Sequence, residues 1–266
     1  MSKRTYSPFV PAEDLSKLYR AIVEFDMIEP GDRILIGLSG GKDSMLLTAM
    51  LAEVKKHSPI PFDLACYTVN GMFAPNFPKQ ELVDFCANYG LQHYSDEVDV
   101  MASKMARGTT PCYSCAFFRR GATNRRAKEL GFNKVALAHH NDDAVETFFM
   151  NVITTGQLKT FLPVTHLSRT EITVLRPLLY YREQEIIELV NKLGLKPLKN
   201  PCPYDGHTTR QDIKEQIAAL DKQFPGIYEH LAAAMRNQPG QELWPERPDS
   251  KLLLQKHKAF WHQKNK

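Results

Sequence analysis

Residues 34–44 read Ile-Leu-Ile-Gly-Leu-Ser-Gly-Gly-Lys-Asp-Ser, and a helical pattern follows from Met45. The apolar run predicts a strand, and the glycines predict a turn into a helix. This geometry holds phosphate, because backbone N–H groups close around the anion and the helix N-terminus adds positive partial charge. Lys42 supplies a full positive charge, and the hydroxyls of Ser39 and Ser44 can donate hydrogen bonds. The stretch therefore predicts a phosphate-binding turn in an α/β fold.

The spacing of this turn differs from the Gly-x-x-x-x-Gly-Lys-[Ser/Thr] loop that holds ATP for γ-phosphate hydrolysis. The sequence Ser39-Gly40-Gly41-Lys42-Asp43-Ser44 instead resembles the PP-loop of the N-type ATP pyrophosphatases. The resemblance implies cleavage of ATP between its α and β phosphates, which leaves AMP on an oxygen of the substrate. A Gly-rich turn without a function is the alternative.

Strand-like and helical runs alternate along most of the chain. An amphipathic helix is predicted within 12–25, and strands at 33–38, 63–70, 92–97 and 134–138, with strand-like runs at 164–167 and 172–176. Helices are predicted at 43–56, 78–89, 115–130, 142–155, 183–193, from 208 or 209 to about 223, and at 227–236. The alternation indicates βαβ units and a Rossmann-like parallel sheet with helices on both faces, followed by a helical C-terminal extension. The Gly-rich turn would then lie at the carboxyl edge of the sheet, where such folds bind ligands.

Composition places the 266-residue chain among globular proteins, with 43% hydrophobic and 24% charged residues. Apolar runs fall short of the roughly 18–20 residues that a membrane helix needs. The first eight residues lack the apolar core of a signal peptide, so we expect a cytoplasmic protein without a membrane segment. The net charge of +4 hints only weakly at nucleic acid.

The five cysteines divide into two groups. Their odd number argues against a disulfide framework, and Cys66 and Cys86 lie in apolar runs typical of buried small side chains. Cys112 and Cys115 form a Cys-x-x-Cys pair, whereas the distant Cys202 is flanked by prolines. Three thiolates suit a [4Fe–4S] cluster with one iron left open. A redox dithiol, a zinc site completed by a histidine such as His207, and unrelated thiols are the alternatives.

A second polar segment ends the predicted strand at 134–138. It reads His139-His140-Asn141-Asp142-Asp143, and its carboxylates would face the same edge of the sheet as the Gly-rich turn. Carboxylates there could hold the Mg²⁺ that neutralises ATP phosphates, and His139 or His140 could contact the nucleotide. The alternative is that Asp142 caps a helix and the histidines pack. Arg176, after a later strand-like run, could place a guanidinium near the phosphates.

In order and spacing, these motifs resemble the TtcA family of tRNA 2-thiocytidine synthetases within the PP-loop superfamily. The likeness spans about residues 15–237 and rests on these pieces: Ser39 to Ser44, Pro111-Cys112-x-x-Cys115, Arg119-Arg120-Gly121, His139-His140-x-Asp142-Asp143, Arg176-Pro177-Leu178 and Pro201-Cys202. The resemblance implies ATP and Mg²⁺ binding, a [4Fe–4S] cluster on three cysteines, and thiolation of an anticodon-loop cytidine at C2.

The resemblance also assigns roles to residues. The implied catalytic residues are Lys42, Asp43, Asp142 and Asp143. The implied ATP-binding residues are Ser39, Gly40, Gly41, Lys42, Asp43, Ser44, His139 and Arg176. The implied cluster ligands are Cys112, Cys115 and Cys202, and the implied Mg²⁺ ligands are Asp43 and Asp143. The implied partners are tRNA and a sulfur donor such as a cysteine desulfurase, and a homodimer is suggested by family likeness alone.

The chain departs from the family pattern at two places. The distal site often contains Cys-x-x-Cys, but here Tyr204 and Asp205 follow Pro203, which leaves Cys202 as the third ligand. The residues around Cys115 are also unusually aromatic, with Tyr113, Phe117 and Phe118. Thiolation of uridine or a small molecule, amidation of an adenylated carboxylate, and a non-enzymatic ATP-binding iron–sulfur sensor are therefore alternative functions. The paired terminal cysteines of the related 2-thiouridine synthetases are absent before Cys66 and after Cys202.

RNA contact is predicted for a basic helix surface. The candidate residues are Arg119, Arg120, Arg125 and Arg126. The basic tail at 251–266 interleaves lysines with Phe260 and Trp261, which could stack on bases, or it could instead dock its leucines onto the body of the protein. The predicted segments are an N-terminal helical segment at 1–27, a PP-loop ATP-binding domain at 28–200, a cluster loop with helices at 201–237, and a linker with the tail at 238–266.

Overall fold

The computed structural model describes residues 9–72, 77–99, 111–198, 209–236 and 249–262, and the side chains of 111–114, 209 and 260–262 lie outside that description. The strands are β1 Arg33–Gly37, β2 Asp63–Asn70, β3 Gln92–Glu97, β4 Lys134–Ala136, β5 Val164–Leu167 and β6 Ile172–Leu175. The α-helices are α1 Ser16–Glu24, α2 Lys42–His57, α3 Lys79–Asn88, α4 Pro111–Glu129, α5 Asn141–Thr155, α6 Glu183–Lys192, α7 Thr209–Gln223, α8 Ile227–Ala234 and α9 Ser250–His262, and a short 3-10 helix, Ala12–Leu15, precedes α1.

The six strands form one sheet in the order β3-β2-β1-β4-β6-β5. Every neighbouring pair is parallel except β5 and β6, which are antiparallel because a short turn at 168–171 joins them directly. The predicted α/β class is confirmed. The strand order reverses between β1 and β4, and this reversal opens a crevice at their carboxyl ends, where doubly wound sheets bind ligands.

Both faces of the sheet are covered, as the apolar strand sequences predict. In β1, Ile34 and Ile36 belong to the core beneath α2 and α6, whereas Leu35 packs in the opposite core beneath α4. Every residue of α2 from Ser44 to Val54 is buried. The crevice between β1 and β4 is therefore built on rigid elements.

Helix α4 begins earlier than the sequence predicts. The prediction started it at Cys115, but the helix begins at Pro111, so Cys112 lies in its first turn. Proline is favoured at the first helical position, because it needs no N–H partner there and its φ is already helical. Residues at i and i+3 are neighbours on a helix surface, so the Cys-x-x-Cys pair shares one face of α4.

Within the basic tail, the described residues up to His262 form the helix α9, whose leucines are exposed. Leu252, Leu253 and Leu254 of α9 are 43%, 50% and 54% exposed. The alternative in which they pack onto the body of the protein is thus wrong for this structure. Within the described ranges, no helix combines the length and apolarity needed to cross a membrane.

Candidate active site

The turn between β1 and α2 is held by the hydroxyl of Ser44. Ser44 Oγ donates to the Gly41 carbonyl over 3.0 Å and accepts the Ser39 N–H over 3.1 Å. Gly40 has a φ of +84°, which favours glycine, and a Cβ there would lie 3.0 Å from the Leu198 side chain. Since the first N–H groups of an α-helix have no carbonyl partner within it, the start of α2 presents donors for an anion.

The ammonium group of Lys42 stands beside this turn. Its Nζ lies 3.1 Å from Asp43 Oδ1 and 3.1 Å from Glu183 Oε1 at the start of α6. Burial opposes the charge of Lys42, but these two carboxylates outweigh it and raise the pKa of Lys42. A permanent positive charge therefore stands where the sequence predicts phosphate binding.

Asp142 is buried, and both of its oxygens contact the start of α6. Oδ2 accepts the Glu183 N–H over 2.7 Å, and Oδ1 accepts Nε of Arg182 over 3.1 Å. Burial opposes the charge of Asp142, but the His140 imidazole, the Glu183 N–H and the Arg182 guanidinium lower its pKa to about 2. The predicted catalytic role of Asp142 stays a prediction, and these contacts favour a positioning role.

Asp143 joins α5 to α7. Its Oδ2 accepts the His140 N–H over 3.0 Å and so caps α5, while its Oδ1 accepts Nη1 of Arg210 over 2.9 Å. Arg210 also donates to Thr147 Oγ1 over 3.2 Å. A guanidinium from α7 thus reaches the edge of the sheet that carries the histidine–aspartate segment.

Unsatisfied polar atoms concentrate at this edge. Six buried side-chain nitrogen or oxygen atoms of the described residues lack a hydrogen-bond partner, and four of them belong to Asp43, His139, His140 and Arg176. Unpaired buried polar groups are rare in folded proteins and call for an explanation. A polar ligand in the crevice would supply the missing partners.

A cavity of about 820 Å³ extends from the turn toward α4. Its lining includes Ser39 after β1, His139 after β4, Arg176 after β6, and Phe117 and Arg120 on α4. Ligand pockets typically span about 300–1,000 Å³, so this cavity can hold a nucleotide.

His139 and Arg176 are both poorly solvated where they line the cavity. Burial lowers the pKa of His139 to about 4, although the Asp143 carboxylate acts in the opposite sense. Burial also lowers the pKa of Arg176 to about 10, and the charge of Arg120 adds to this effect. Arg120 and Arg176 both line the cavity, and two guanidinium groups there favour an anionic ligand such as phosphate.

The chain enters the segment that carries Cys202 beside the Gly-rich turn. The Leu198 N–H donates to the Gly40 carbonyl over 2.9 Å, and Leu198 is the last residue described before that segment. Cys202 itself lies outside the described residues, as do Pro201 and His207. On the other side, Ala116, which follows Cys115, lines the cavity.

Comparisons with known proteins agree with this geometry. A family model described as a PP-loop domain matches residues 12–220. The tRNA-cytidine(32) 2-sulfurtransferase of Aliivibrio fischeri strain MJ11 is 38% identical over 221 residues, which cover 82% of this chain and 72% of that protein. The protein of that name from Vibrio vulnificus strain YJ016 is 38% identical over 222 residues, which cover 82% of this chain and 71% of that protein.

The chain belongs to the TtcA family. A solved structure supports the same grouping within the PP-loop superfamily: the U34-tRNA thiolase NcsA from Methanococcus maripaludis with its [4Fe-4S] cluster. That structure is 25% identical, has a TM-score of 0.66, and is matched over 87% of this chain and 80% of that chain. The resemblance to the TtcA family that the motifs indicate is therefore confirmed.

The structure describes only some of the metal ligands that the TtcA resemblance implies. No three His, Cys, Asp or Glu side chains converge to hold a metal in the part of the chain that the structure describes. The side chain of Cys112 and all of Cys202 fall outside that part, so the predicted cluster set is untested. For Mg²⁺, the Asp43 carboxylate beside Lys42 is a suitable donor, since Mg²⁺ commonly takes one or two carboxylates plus phosphates and water.

The four arginines that are predicted to bind RNA differ in their contacts. Arg119 and Arg120 line the cavity, and Arg125 is exposed. Arg126 lies 3.1 Å from Glu129 and 3.6 Å from Asp96. Their RNA-binding role stays a prediction, and Arg126 would have to exchange these carboxylates for phosphate.

Sequence reasoning missed four charged residues of this TtcA-family site, namely Arg182, Glu183, Arg210 and Lys214. They lie on α6 and α7, far along the chain from the Gly-rich turn, and ordinary helical patterns surround them. The adjacent Arg182-Glu183 pair at a predicted helix start was the available signal. Their partners could not be deduced without the packing of α6 and α7 against the sheet edge.

Proposed function

We propose that this protein uses ATP to thiolate tRNA, replacing the C2 oxygen of an anticodon-loop cytidine with sulfur to give 2-thiocytidine. One observation carries the proposal. The Gly-rich turn, the histidine–aspartate segment and the Cys-x-x-Cys helix adjoin one cavity at the carboxyl edge of the sheet. Relatives that are 38% identical are named tRNA-cytidine(32) 2-sulfurtransferases, which supports cytidine as the target.

ATP activates the pyrimidine oxygen. The C2 oxygen attacks the α-phosphorus, and pyrophosphate leaves. The C2 oxygen, a poor leaving group by itself, then carries AMP and can depart with it. Lys42 and the N–H groups at the start of α2 would bind the phosphates, while Arg176 and His139 would stabilise charge at the base of the cavity. These groups contribute positioning and charge neutralisation, which are the main contributions of proteins to phosphoryl transfer.

Mg²⁺ would be held by Asp43, with Asp143 as a further ligand after it releases Arg210. The ion would neutralise phosphate charge when it is bound. The roles of the chain's own side chains do not depend on it, because Lys42 stands as a cation beside the Gly-rich turn and Arg176 lines the cavity.

The cysteine set fits an iron–sulfur cluster by its chemistry. Cys112 lies in the first turn of α4, three residues before Cys115, and Cys202 belongs to the segment that begins beside Gly40. Thiolates are the usual ligands of such clusters, and a bound [4Fe–4S] cluster with three cysteines would supply an open iron for sulfur delivery. The NcsA structure carries a [4Fe-4S] cluster, which supports the presence of a cluster here.

tRNA is the proposed macromolecular partner, and Arg119 and Arg120 would guide it to the cavity. A tRNA substrate fits the cytoplasmic location expected from the sequence. A sulfur donor such as a cysteine desulfurase would renew the sulfide.

Uridine thiolation is the second candidate. The structural neighbour NcsA acts on U34, and its likeness covers most of this chain. Cytidine is favoured, because the cytidine enzymes share 38% of residues against 25% for NcsA.

The test is reconstitution in vitro. Protein loaded anaerobically with iron and sulfide would be incubated with ATP, sulfide and a tRNA transcript, followed by nucleoside mass spectrometry and a pyrophosphate assay. We expect 2-thiocytidine together with pyrophosphate, and loss of both in Lys42→Ala. Lys55→Ala is the matched control, because Lys55 lies near the far end of α2 and contacts Asp63 instead. Thiouridine would establish the second candidate, and product without pyrophosphate release would overturn the proposed chemistry.

A further inference from the structure

The PP-loop lysine Lys42 is paired with Glu183, a residue outside every motif that the sequence offers. Glu183 Oε1 lies 3.1 Å from Lys42 Nζ, and the two side chains are 23% and 29% exposed. The Glu183 carboxylate is therefore paired with the same ammonium group that, in the proposed function, binds the phosphates of ATP.

The carboxylate of Glu183 is not needed to start α6. Its backbone N–H, rather than its side chain, binds Asp142. The capping carboxylate of this helix is that of Glu185, which accepts the Arg182 N–H over 2.8 Å. The Glu183 side chain can thus change partners without unwinding α6.

Glu183 has a second cationic partner on another helix. Lys214 of α7 contacts Glu183 Oε2, whereas Lys42 contacts Oε1. Burial opposes the charge of Glu183, but these two lysines outweigh it and lower its pKa. One carboxylate consequently bridges α2 and α7.

We propose that Glu183 is a counter-ion that Lys42 exchanges for the phosphates of ATP, and that Lys214 retains Glu183 when Lys42 leaves. The proposal rests on ATP binding in the proposed function. It makes Glu183 and Lys214 positioning residues that set the affinity for ATP.

The sign of each effect follows from electrostatics. Glu183 competes with phosphate for Lys42 and repels phosphate by its own charge, so its loss should tighten nucleotide binding. Lys214 keeps Glu183 paired after the exchange, so its loss should weaken nucleotide binding. By linkage, nucleotide binding would also strengthen the contact between Glu183 and α7, the helix that follows Cys202 in the chain.

The test measures the affinity of the full-length protein for an ATP analogue with a methylene bridge between the α and β phosphates, by isothermal titration without tRNA. We expect Glu183→Gln to bind the analogue about two- to five-fold more tightly and Lys214→Met to bind it about two- to five-fold more weakly, as expected for partly exposed ion pairs. The matched control is Glu188→Gln, which removes the same charge from an exposed position of α6 and should leave the affinity unchanged.

Unchanged or weaker binding by a folded Glu183→Gln protein would overturn the proposal. Unchanged or tighter binding by Lys214→Met would do the same, even if Glu183→Gln failed to fold. A loss of packing cannot mimic the expected pattern, because the two variants must move the affinity in opposite directions. If the wild-type protein did not bind the analogue at all, the proposed use of ATP would fail instead, and with it the basis of this inference.

Discussion

The Oδ2 atom of Asp142 accepts the backbone N–H of Glu183 over 2.7 Å, which ties the first turn of α5 to the start of α6. The sequence places these residues 41 positions apart. Through this contact, the histidine–aspartate segment fixes the helix whose first side chain holds Lys42. The ATP-binding turn and the acidic segment are therefore mechanically joined, and not only adjacent.

Asp142→Asn should destabilise the protein. The Asn side chain can still accept the Glu183 N–H, but the Arg182 guanidinium loses its buried carboxylate, which costs about 1–3 kcal/mol. Urea unfolding would measure this loss as a lower midpoint. Asp84→Asn on α3, where the carboxylate is exposed, should change stability by less than about 0.5 kcal/mol. Equal midpoints for Asp142→Asn and the wild type would contradict the positioning role.

Stability should fall in acid partly through Asp142. Its pKa is lowered to about 2 in the folded state, so its stabilising effect is fully present above the unfolded value of about 3.9 and is lost as the pH falls through about 2. The effect is on the order of 2 kcal/mol. Urea unfolding between about pH 5 and about pH 3 should therefore show a steeper loss for the wild type than for Asp142→Asn. Parallel pH profiles would show that the carboxylate titrates normally.

Two glycines should respond in opposite ways to alanine. Gly40→Ala should cost about 1–2 kcal/mol, because φ is +84° there and the Cβ would meet Leu198. Gly121→Ala should stabilise the protein by about 1 kcal/mol, because Gly121 lies inside α4 and a Cβ there meets nothing within 4 Å. Thermal unfolding of both variants measures the difference. Since Gly121 lines the cavity, the open space beside it favours a role in ligand binding over one in folding.

Cys202→Ala should remove the cluster while leaving ATP binding intact. Absorbance near about 400 nm, typical of thiolate-bound iron–sulfur clusters, should disappear from the reconstituted protein. Lys42→Ala and Asp43→Ala should show the reverse, with the absorbance retained and the activity lost. Cys86→Ala is the matched control, because Cys86 is fully buried in the core beside Cys66 and should leave the absorbance unchanged. Full thiolation by a clusterless Cys202→Ala protein would refute the cluster mechanism.

Much of the fold followed from local sequence. The strands at 63–70 and 92–97 match the predicted bounds, and the first of them contains the β-branched and aromatic residues Tyr67, Thr68 and Val69 that favour strands. The predicted start of α4 at Cys115 was wrong, because the helix begins four residues earlier at Pro111, a residue that suits the first position of a helix. The antiparallel β5 required knowledge of strand order, which periodicity does not contain.

The site was predictable where its residues are adjacent in sequence. The Gly-rich turn and the histidine–aspartate segment could be recognised because each lies within one short loop. Glu183, Lys214 and Arg210 could not, because their roles depend on which helices pack at the sheet edge. Lys42 combines both cases, because its motif predicted the lysine itself but not its pairing with Glu183.

The most direct test of the central claim is mass spectrometry of nucleosides from the tRNA of a strain that lacks this gene. We predict that 2-thiocytidine disappears and is restored by the wild-type gene but not by the Lys42→Ala gene. Unchanged 2-thiocytidine in the deletion strain would contradict the account.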